Sequence, residues 1–319
     1  MSKKKLISVV IPAYNEEEFV DVLYSGITDV IDKIDNYNFE VIIVENGSAD
    51  NTYNKLLSIH KKDKRFKIVK LTRNCKGDGG ISAGLQYVKG DSAIIMYADL
   101  EDPPSLIPKF IEKWEQGYKD IYGIVNKRQK GFLMKINAYI FYSLMYWLTK
   151  GAIPKNVGDF RLIDKQVYQC FNQLPERNRF SRGLFPWLGF KGIGIKYDRK
   201  TTRTPRKMLG QSYLFAVLSL ALKGVFSFSH FPLKIASIIG ALLSITAFSG
   251  VIYFIIQHVI FNNSPFQGFG TIICLILLLF GFLFFLIGIL GEYIGLIHNE
   301  VRGRPIYILD KLVGIKDKK

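Results

Sequence analysis

From Ile235 to Gly291 the chain carries not one Asp, Glu, Lys or Arg. A stretch of that length holds two runs of about 20 residues, each enough to cross ~30 Å of hydrocarbon. Between the runs, FNNSPFQGFG (Phe261 to Gly270) collects Asn, Ser, Pro and Gly, the residues of a tight turn. The expectation is a membrane hairpin with spans at about 233–260 and 270–297. The alternative, an apolar helix pair inside a soluble core, would need core helices of unusual length and complete freedom from charge.

The flanks orient the hairpin. The connecting loop has no Lys or Arg, whereas Arg302, Arg304, Lys311, Lys316, Lys318 and Lys319 follow the second span and the segment before the first is also basic. The positive-inside rule then places both termini in the cytoplasm, with a multi-pass anchor in the cytoplasmic (inner) membrane. At the N-terminus, MSKKK precedes an apolar run of only Leu6 to Ile11 before Pro12, too short for a signal-peptide core. The expected order is a cytoplasmic domain at 1–230, two spans within 231–300 and a basic cytoplasmic tail at 301–319. Cys75, Cys170 and Cys274 lie far apart, form no metal spacing and no disulfide framework, and fit a reducing compartment.

The net charge of +16 is unevenly spread, because Lys127 to Lys234 holds 20 Lys and Arg against 4 Asp and Glu. Nucleic acid is one class of partner for such a patch. The neighbouring apolar spans favour anionic headgroups or a phosphorylated lipid instead, so membrane lipids are the expected partner and nucleic acid is not.

The first 125 residues alternate two patterns. Leu6–Ile11, Phe39–Val44, Phe66–Leu71, Ser92–Tyr97 and Asp120–Val125 read as strands; Glu16–Ile34, Asn51–Lys61, Gly79–Val88 and Ser105–Gln116 read as helices. That alternation predicts an α/β fold, a parallel, doubly wound sheet with helices on both faces. Ligands of such sheets gather at the carboxyl ends of the strands. Four chemically loaded stretches fall at those ends: IPAYNEEE, VENGSADNT, TRNCKGDGG and ADLEDPP. Beyond residue 130, Phe132–Leu148 and Ser212–Ser229 are aromatic and poor in acids, and read as interfacial helices at the headgroup level (132–148 and 212–229) or as helices packed on the sheet.

Each loop has a chemical and a plain reading. In PAYNE, Tyr14 can lie beside a base and Glu16 can accept from ribose or base donors, while Asn15 can simply cap the next helix. Glu45 and Asn46 offer an acceptor and an amide to a nucleobase edge, while Ser48 or Asp50 can cap the following helix. KGDGG (Lys76 to Gly80) can form a phosphate-binding nest, but it lacks the Gly-Lys-Ser/Thr ending of a P-loop, and no GxGxxG follows the first strand. Asp99 and Glu101, at i and i+2, would point to one side of an extended segment and share a hard divalent cation. Their plain reading is solvent exposure, with Asp102 capping the next helix.

Taken together, PAYNEE, VENGSADNT, TRNCKG, ADLEDPP, GDFRL and GEYIGLIHNEVRGRPIY resemble the family 2 glycosyltransferases, and within them the polyprenyl-phosphate hexosyltransferases, the bactoprenol glucosyltransferase and dolichol-phosphate mannose synthase group. The resemblance runs over nearly the whole chain, C-terminal hairpin included. It implies a GT-A domain, Rossmann-like with a mostly parallel sheet, that binds a nucleotide-sugar donor and Mg²⁺ or Mn²⁺. Pro12, Ala13, Tyr14, Glu16, Glu45, Asn46 and Asp99 fall at nucleotide-binding positions, Asp99 at the metal-binding Asp, and Glu101 at a second metal position where the family has Gln. Asp159 matches an acid beside the acceptor phosphate, with Arg161 next to it. Three residues depart from the family pattern: Tyr97 stands for the first Asp of D-A-D-L-Q, and Glu45-Asn46 for the Asp-Asp of V-D-D-G-S. No Q-x-x-R-W occurs, which implies a single transfer rather than a processive one.

The implied reaction moves one sugar, UDP-glucose being the first choice of donor, to undecaprenyl phosphate with inversion, for cell-envelope glycosylation. GDP-mannose, a UDP-N-acetylhexosamine or a modified pentose are alternative donors, and an inactive membrane-anchored homologue is the alternative from another class. A lipid phosphate is already mostly dianionic at neutral pH, so it needs positive side chains to hold it more than it needs a base. Arg161 heads the expected clamp, followed by Arg128, Lys135, Arg203 and Arg206, each of which could instead be a solvated or headgroup-binding charge. Asp159 is expected to orient that clamp. Self-association through the hairpin is a further expectation, with no number attached.

Overall fold

The computed structural model describes residues 4–126, 157–177, 179–199 and 269–316, with a few positions between 238 and 256. The expected interfacial helices at 132–148 and 212–229, and most of the first span, lie outside the described residues.

Eight strands form one mixed sheet among the described residues. At its centre β1 (Leu6–Ala13) and β2 (Asn38–Glu45) are runs of Val and Ile buried on both faces, the composition of strands covered by helices on each side. They pair in parallel with each other, β2 with β3 (Phe66–Leu71) and β1 with β4 (Ser92–Ile95). Helices α1 (Val20–Ile31), α2 (Thr52–Lys62) and α3 (Lys76–Gln86) make the crossovers. After a 3₁₀ turn at Pro104–Leu106, α4 (Ile107–Glu115) leads to β5 (Asp120–Val125). The alternation read in the first 125 residues is therefore present.

The outer strands depart from a purely parallel sheet. The order is β7-β5-β6-β4-β1-β2-β3-β8, where β6 is Val157–Asp164, β7 Gly192–Tyr197 and β8 Leu309–Val313. β6 inserts between β4 and β5 and runs antiparallel to both. β8 adds antiparallel to β3, so part of the basic C-terminal tail is a sheet strand. β6 hides from a composition reading because VGDFRLID places an Asp and an Arg inside an otherwise apolar strand. Two further helices, α5 (Lys165–Gln173) and α6 (Ser181–Trp187), follow β6.

On one face of the sheet, Ile7, Val9, Ile11, Val41 and Ile43 meet Leu23 and Ile27 of α1, and Phe110 packs on Phe160 at 4.8 Å between ring centroids. Each such fully buried side chain contributes roughly 1.5–3 kcal/mol. On the other face α3 lies unusually near the strands. A Cβ at Gly84 would sit 2.3 Å from Val10 Cγ1 and 3.0 Å from Val44 Cγ2, and one at Gly80 2.9 Å from Pro12 Cβ. This close approach brings the start of α3 up to the strand ends that carry the loaded loops.

A second compact unit spans Val225–Gly303. It contains α7 (Phe269–Val301), within which Leu279–Val301 has a mean hydropathy of 2.1 and is long and apolar enough to cross a membrane. Leu275, Phe280, Phe284 and Ile287 are exposed along it. Among the described residues it is the one helix of that length and character.

Candidate active site

The carboxyl ends of β1 and β2 are stitched together by short-range hydrogen bonds. Asn15, at φ 52°, donates its N–H to Ser48 Oγ at 3.1 Å and accepts from Ala49 N–H at 2.9 Å. Glu16 N–H donates to Thr52 Oγ1 at 2.9 Å, and Glu17 accepts from Asn51 N–H at 2.7 Å. Pro12 and Ala13 are buried within β1, so the strand continues past the proline; the Tyr14 ring is 42% exposed at its end. An exposed ring beside a rigid turn is suited to stack on a base. Glu45 is buried and accepts from Ser48 N–H at 2.5 Å.

Asn46 has a different task from reading a base. Its Nδ2 donates to Lys76 C=O at 3.0 Å, and its Oδ1 accepts from Cys75 N–H at 2.9 Å. Both halves of the amide are thus used on the loop before α3. Lys76 takes φ 61°, an uncommon conformation for a residue with a side chain, and this bond holds its carbonyl. Gly47, at φ 69°, lies against the same loop, where a Cβ would be 2.6 Å from the Arg73 carbonyl carbon. The KGDGG segment is not a free phosphate nest but the first turn of α3. Its Asp78 carboxylate accepts from Ser181 N–H at 2.9 Å.

At the end of β4 the backbone turns. Leu100 takes φ 51°, so Asp99 and Glu101 do not sit on an extended segment, and the i, i+2 argument for a shared ion fails for that reason. Asp99 Oδ1 accepts from Glu101 N–H at 3.2 Å, while Glu101 Oε2 pairs with Arg199 Nε at 3.3 Å. Asp102, 2% exposed, accepts from the Tyr197 hydroxyl and from Arg199 Nη2 at 3.3 Å. Its role is structural, though as a buried anchor rather than a helix cap. No group of three or more His, Cys, Asp or Glu placed to hold a metal occurs among the described residues.

Opposite this turn lies the most heavily paired carboxylate of the edge. Asp159 of β6 is 6% exposed. Arg182 of α6 donates to it twice, Nε to Oδ1 at 2.9 Å and Nη2 to Oδ2 at 2.6 Å, and the Tyr97 hydroxyl donates to Oδ2 at 3.1 Å. Burial pushes the Asp159 carboxyl up, but Arg182, Arg161 and the Tyr97 hydroxyl outweigh it and hold it below its ordinary value. Neighbouring Asp78 goes the other way, raised by burial and then by the charge on Asp159. Tyr97 is pushed well above the ordinary phenol range, first by burial and then by Asp159, so it stands as a neutral donor.

Arg161, expected to head the acceptor clamp, is in the core. It is 1% exposed, its Nη1 reaches Asp120 at 3.3 and 3.4 Å, its Nη2 donates to Gly158 C=O at 3.3 Å, and its guanidinium lies 4.6 Å from the Phe185 ring centroid. β5 and β6 are neighbours in the sheet, and the partner charge on Asp120 explains how an arginine is tolerated there. Arg182, absent from the sequence-based candidates, holds the partly exposed position instead; its nearness to Asp159 depends on α6 packing beside β6 and leaves no local mark in the sequence. Arg128, Lys135, Arg203 and Arg206 lie outside the described residues.

Residues 8–171 match the family model described as Glycosyl transferase family 2. YkcC, an uncharacterized glycosyltransferase of Bacillus subtilis, is 37% identical over 100% of this chain and 98% of its own. A prophage-derived bactoprenol glucosyl transferase of Shigella flexneri is 34% identical over 96% of this chain and 97% of its own. Among solved structures, glucosyl-3-phosphoglycerate synthase from Mycobacterium tuberculosis is 16% identical, with 70% of this chain and 79% of that one covered at a TM-score of 0.49. A mixed, mostly parallel GT-A-like sheet, loaded loops gathered at its carboxyl edge and full-length kinship to bactoprenol glucosyl transferases lead to one conclusion: the chain is a glycosyltransferase and belongs to family 2.

Proposed function

We propose that this glycosyltransferase transfers a single sugar from a nucleotide sugar, UDP-glucose first among the donors, to the phosphate of a polyprenyl lipid such as undecaprenyl phosphate, with inversion at the anomeric carbon. The observation that carries the proposal is full-length similarity to bactoprenol glucosyl transferases, whose names specify that chemistry. The site geometry supports it. Tyr14 and the β1 and β2 turns suit a nucleoside, and the Asp159–Arg182 pair faces them across the same sheet edge.

In the proposed reaction an oxygen of the lipid phosphate attacks the anomeric carbon. The bond from that carbon to the donor diphosphate breaks, and its electron pair leaves with the nucleoside diphosphate. No proton has to be removed, because a phosphate monoester with a second pKa of about 6 is largely dianionic at neutral pH. Asp159, held in its ionised form by Arg182, is a weak base and serves as an anchor. Asp99 supplies the carboxylate oxygens that a hard cation such as Mg²⁺ or Mn²⁺ prefers, while Glu101 would join it only by leaving Arg199. When bound, such an ion offsets charge on the leaving diphosphate. Residues 231–300 would anchor the protein in the inner membrane, with 1–230 and both termini cytoplasmic and the segments at 132–148 and 212–229 in the headgroup region. Lys135, Arg203 and Arg206 would then meet acceptor or headgroup phosphates.

The test is transfer of labelled sugar by the full chain in lipid vesicles, using a nucleotide-sugar panel and undecaprenyl phosphate. A labelled lipid product with at least one donor is expected, and none with any donor would overturn the reading. Asp99→Asn should abolish transfer while circular dichroism and membrane association stay unchanged. Near-normal transfer by that variant would sink the role given to Asp99.

A further inference from the structure

Four elements meet around one carboxylate. Tyr97, just past β4, and Arg182, in the first turn of α6, both donate to Asp159 Oδ2, which β6 carries. The first turn of α3 closes the ring from below: Asp78 accepts from Ser181 N–H, and Gly77 lies so close to the phenol that a Cβ there would be 2.5 Å from Tyr97 Oη. The phenol is thus held against α3 backbone on one side and aimed at Asp159 on the other.

Arg182 differs from the other arginines near this edge. Arg161 is buried on Asp120, Arg179 donates to Glu176 C=O and Leu174 C=O, and Arg199 lies between Glu101 and Asp102. The Arg182 side chain is 32% exposed while that of Asp159 is 5% exposed, so solvent reaches the pair from the guanidinium side. Asp159 takes the Nε and Nη2 edge of the guanidinium, which directs the remaining N–H groups away from the carboxylate. A guanidinium fixed in this way has lost little further freedom when it meets a phosphate, and it offers a planar fork that matches phosphate oxygens.

We propose that Arg182 is the side chain that receives the anionic phosphate of the acceptor, and that Tyr97 is a positioning residue that sets Arg182 through Asp159. The proposal rests on the transfer reaction inferred above and names the residue that receives its acceptor. Tyr97 stands two residues before Asp99, so one short segment positions the donor-side acid and the acceptor-side arginine together. Holding both substrates from one segment is a direct way to fix the approach of the attacking oxygen.

The experiment measures kcat and both KM values for the full chain in vesicles, with undecaprenyl phosphate varied against the best donor of the panel. Arg182→Lys should raise the acceptor KM about tenfold, because a point charge cannot reproduce the fork, with the donor KM within about twofold of wild type. Tyr97→Phe keeps the ring and loses one hydrogen bond, for an expected rise of about fivefold in acceptor KM alone. Removing Arg182 by itself would leave Asp159 buried and uncompensated, so the charge is deleted as the pair Asp159→Asn with Arg182→Gln. That double variant should fold and show an acceptor KM at least as high as Arg182→Lys. An unchanged acceptor KM in Arg182→Lys overturns the assignment of Arg182. A Tyr97→Phe effect confined to the donor KM overturns the positioning role and places the phenol in the donor pocket. A wild type that transfers to no lipid phosphate overturns the functional reading and this assignment with it.

Discussion

An asparagine side chain carries one donor group and one acceptor, and Asn46 uses both on the backbone of the loop before α3. An aspartate could still accept from Cys75 N–H but could not donate to Lys76 C=O, and it would bring a negative charge against that carbonyl. Asn46→Asp is therefore expected to cost about 1–3 kcal/mol, the range for a buried polar group left unmatched. Thermal unfolding of the full chain followed by tryptophan fluorescence checks it, and a melting temperature equal to wild type would show that the amide is dispensable. The sequence marks Asn46 and Tyr97 as unusual for the family without saying why. Their hydrogen bonds supply the reason, since Asn46 holds the loop at Lys76 and Tyr97 fills the space above Gly77. Arg161 and Asp159 were legible as important because a charged pair inside GDFRL is conspicuous. Which of the two faces a ligand was not legible, because that depends on Asp120 and Arg182, 41 and 23 residues away in the chain.

Helix α3 is a weak helix by propensity, since Gly77, Gly79, Gly80 and Gly84 each cost about 1 kcal/mol relative to alanine. What stabilises it is contact with the sheet, and Gly84 shows how close the contact is. Gly84→Ala gains helix propensity, yet its Cβ would lie 2.3 Å from Val10 Cγ1. Overpacking of this kind costs about 1–3 kcal/mol, so a net loss of stability is expected. Adding Val10→Ala should restore part of it, provided the clash is the cause. A Gly84→Ala variant that melts at or above the wild-type temperature would refute the account. Strand β6 makes the complementary point about legibility. Its alternation is masked by Asp159 and Arg161, whose partners arrive from α6 and β5, so no local pattern announces a strand there.

At the scale of the whole molecule, the C-terminal segment completes the catalytic sheet. β8 pairs with β3 from Ile68 opposite Val313 to Leu71 opposite Leu309; Lys70 meets Asp310 at 2.7 Å, and Thr72 N–H donates to Ile308 C=O at 3.1 Å. Removing residues 304–319 would expose the β3 edge and loosen the chain that leads into Cys75 and Lys76. Hydrogen exchange of the Phe66–Leu71 amides should quicken in the truncated protein, and unchanged protection would mean that β8 is dispensable to the sheet. By itself the sequence determined the alternating strands and helices, the gathering of four loaded loops at one edge, an apolar segment long enough for a membrane span and membership of the family. These follow from periodicity and composition, which act over a few residues to a few tens. Only the tertiary structure decided that β6 lies between β4 and β5, that Arg161 is buried on Asp120, and that Arg182 and Tyr97 share Asp159. The reason is that a charge can be buried only where its counter-charge arrives, and that arrival depends on strand order and helix packing between distant parts of the chain.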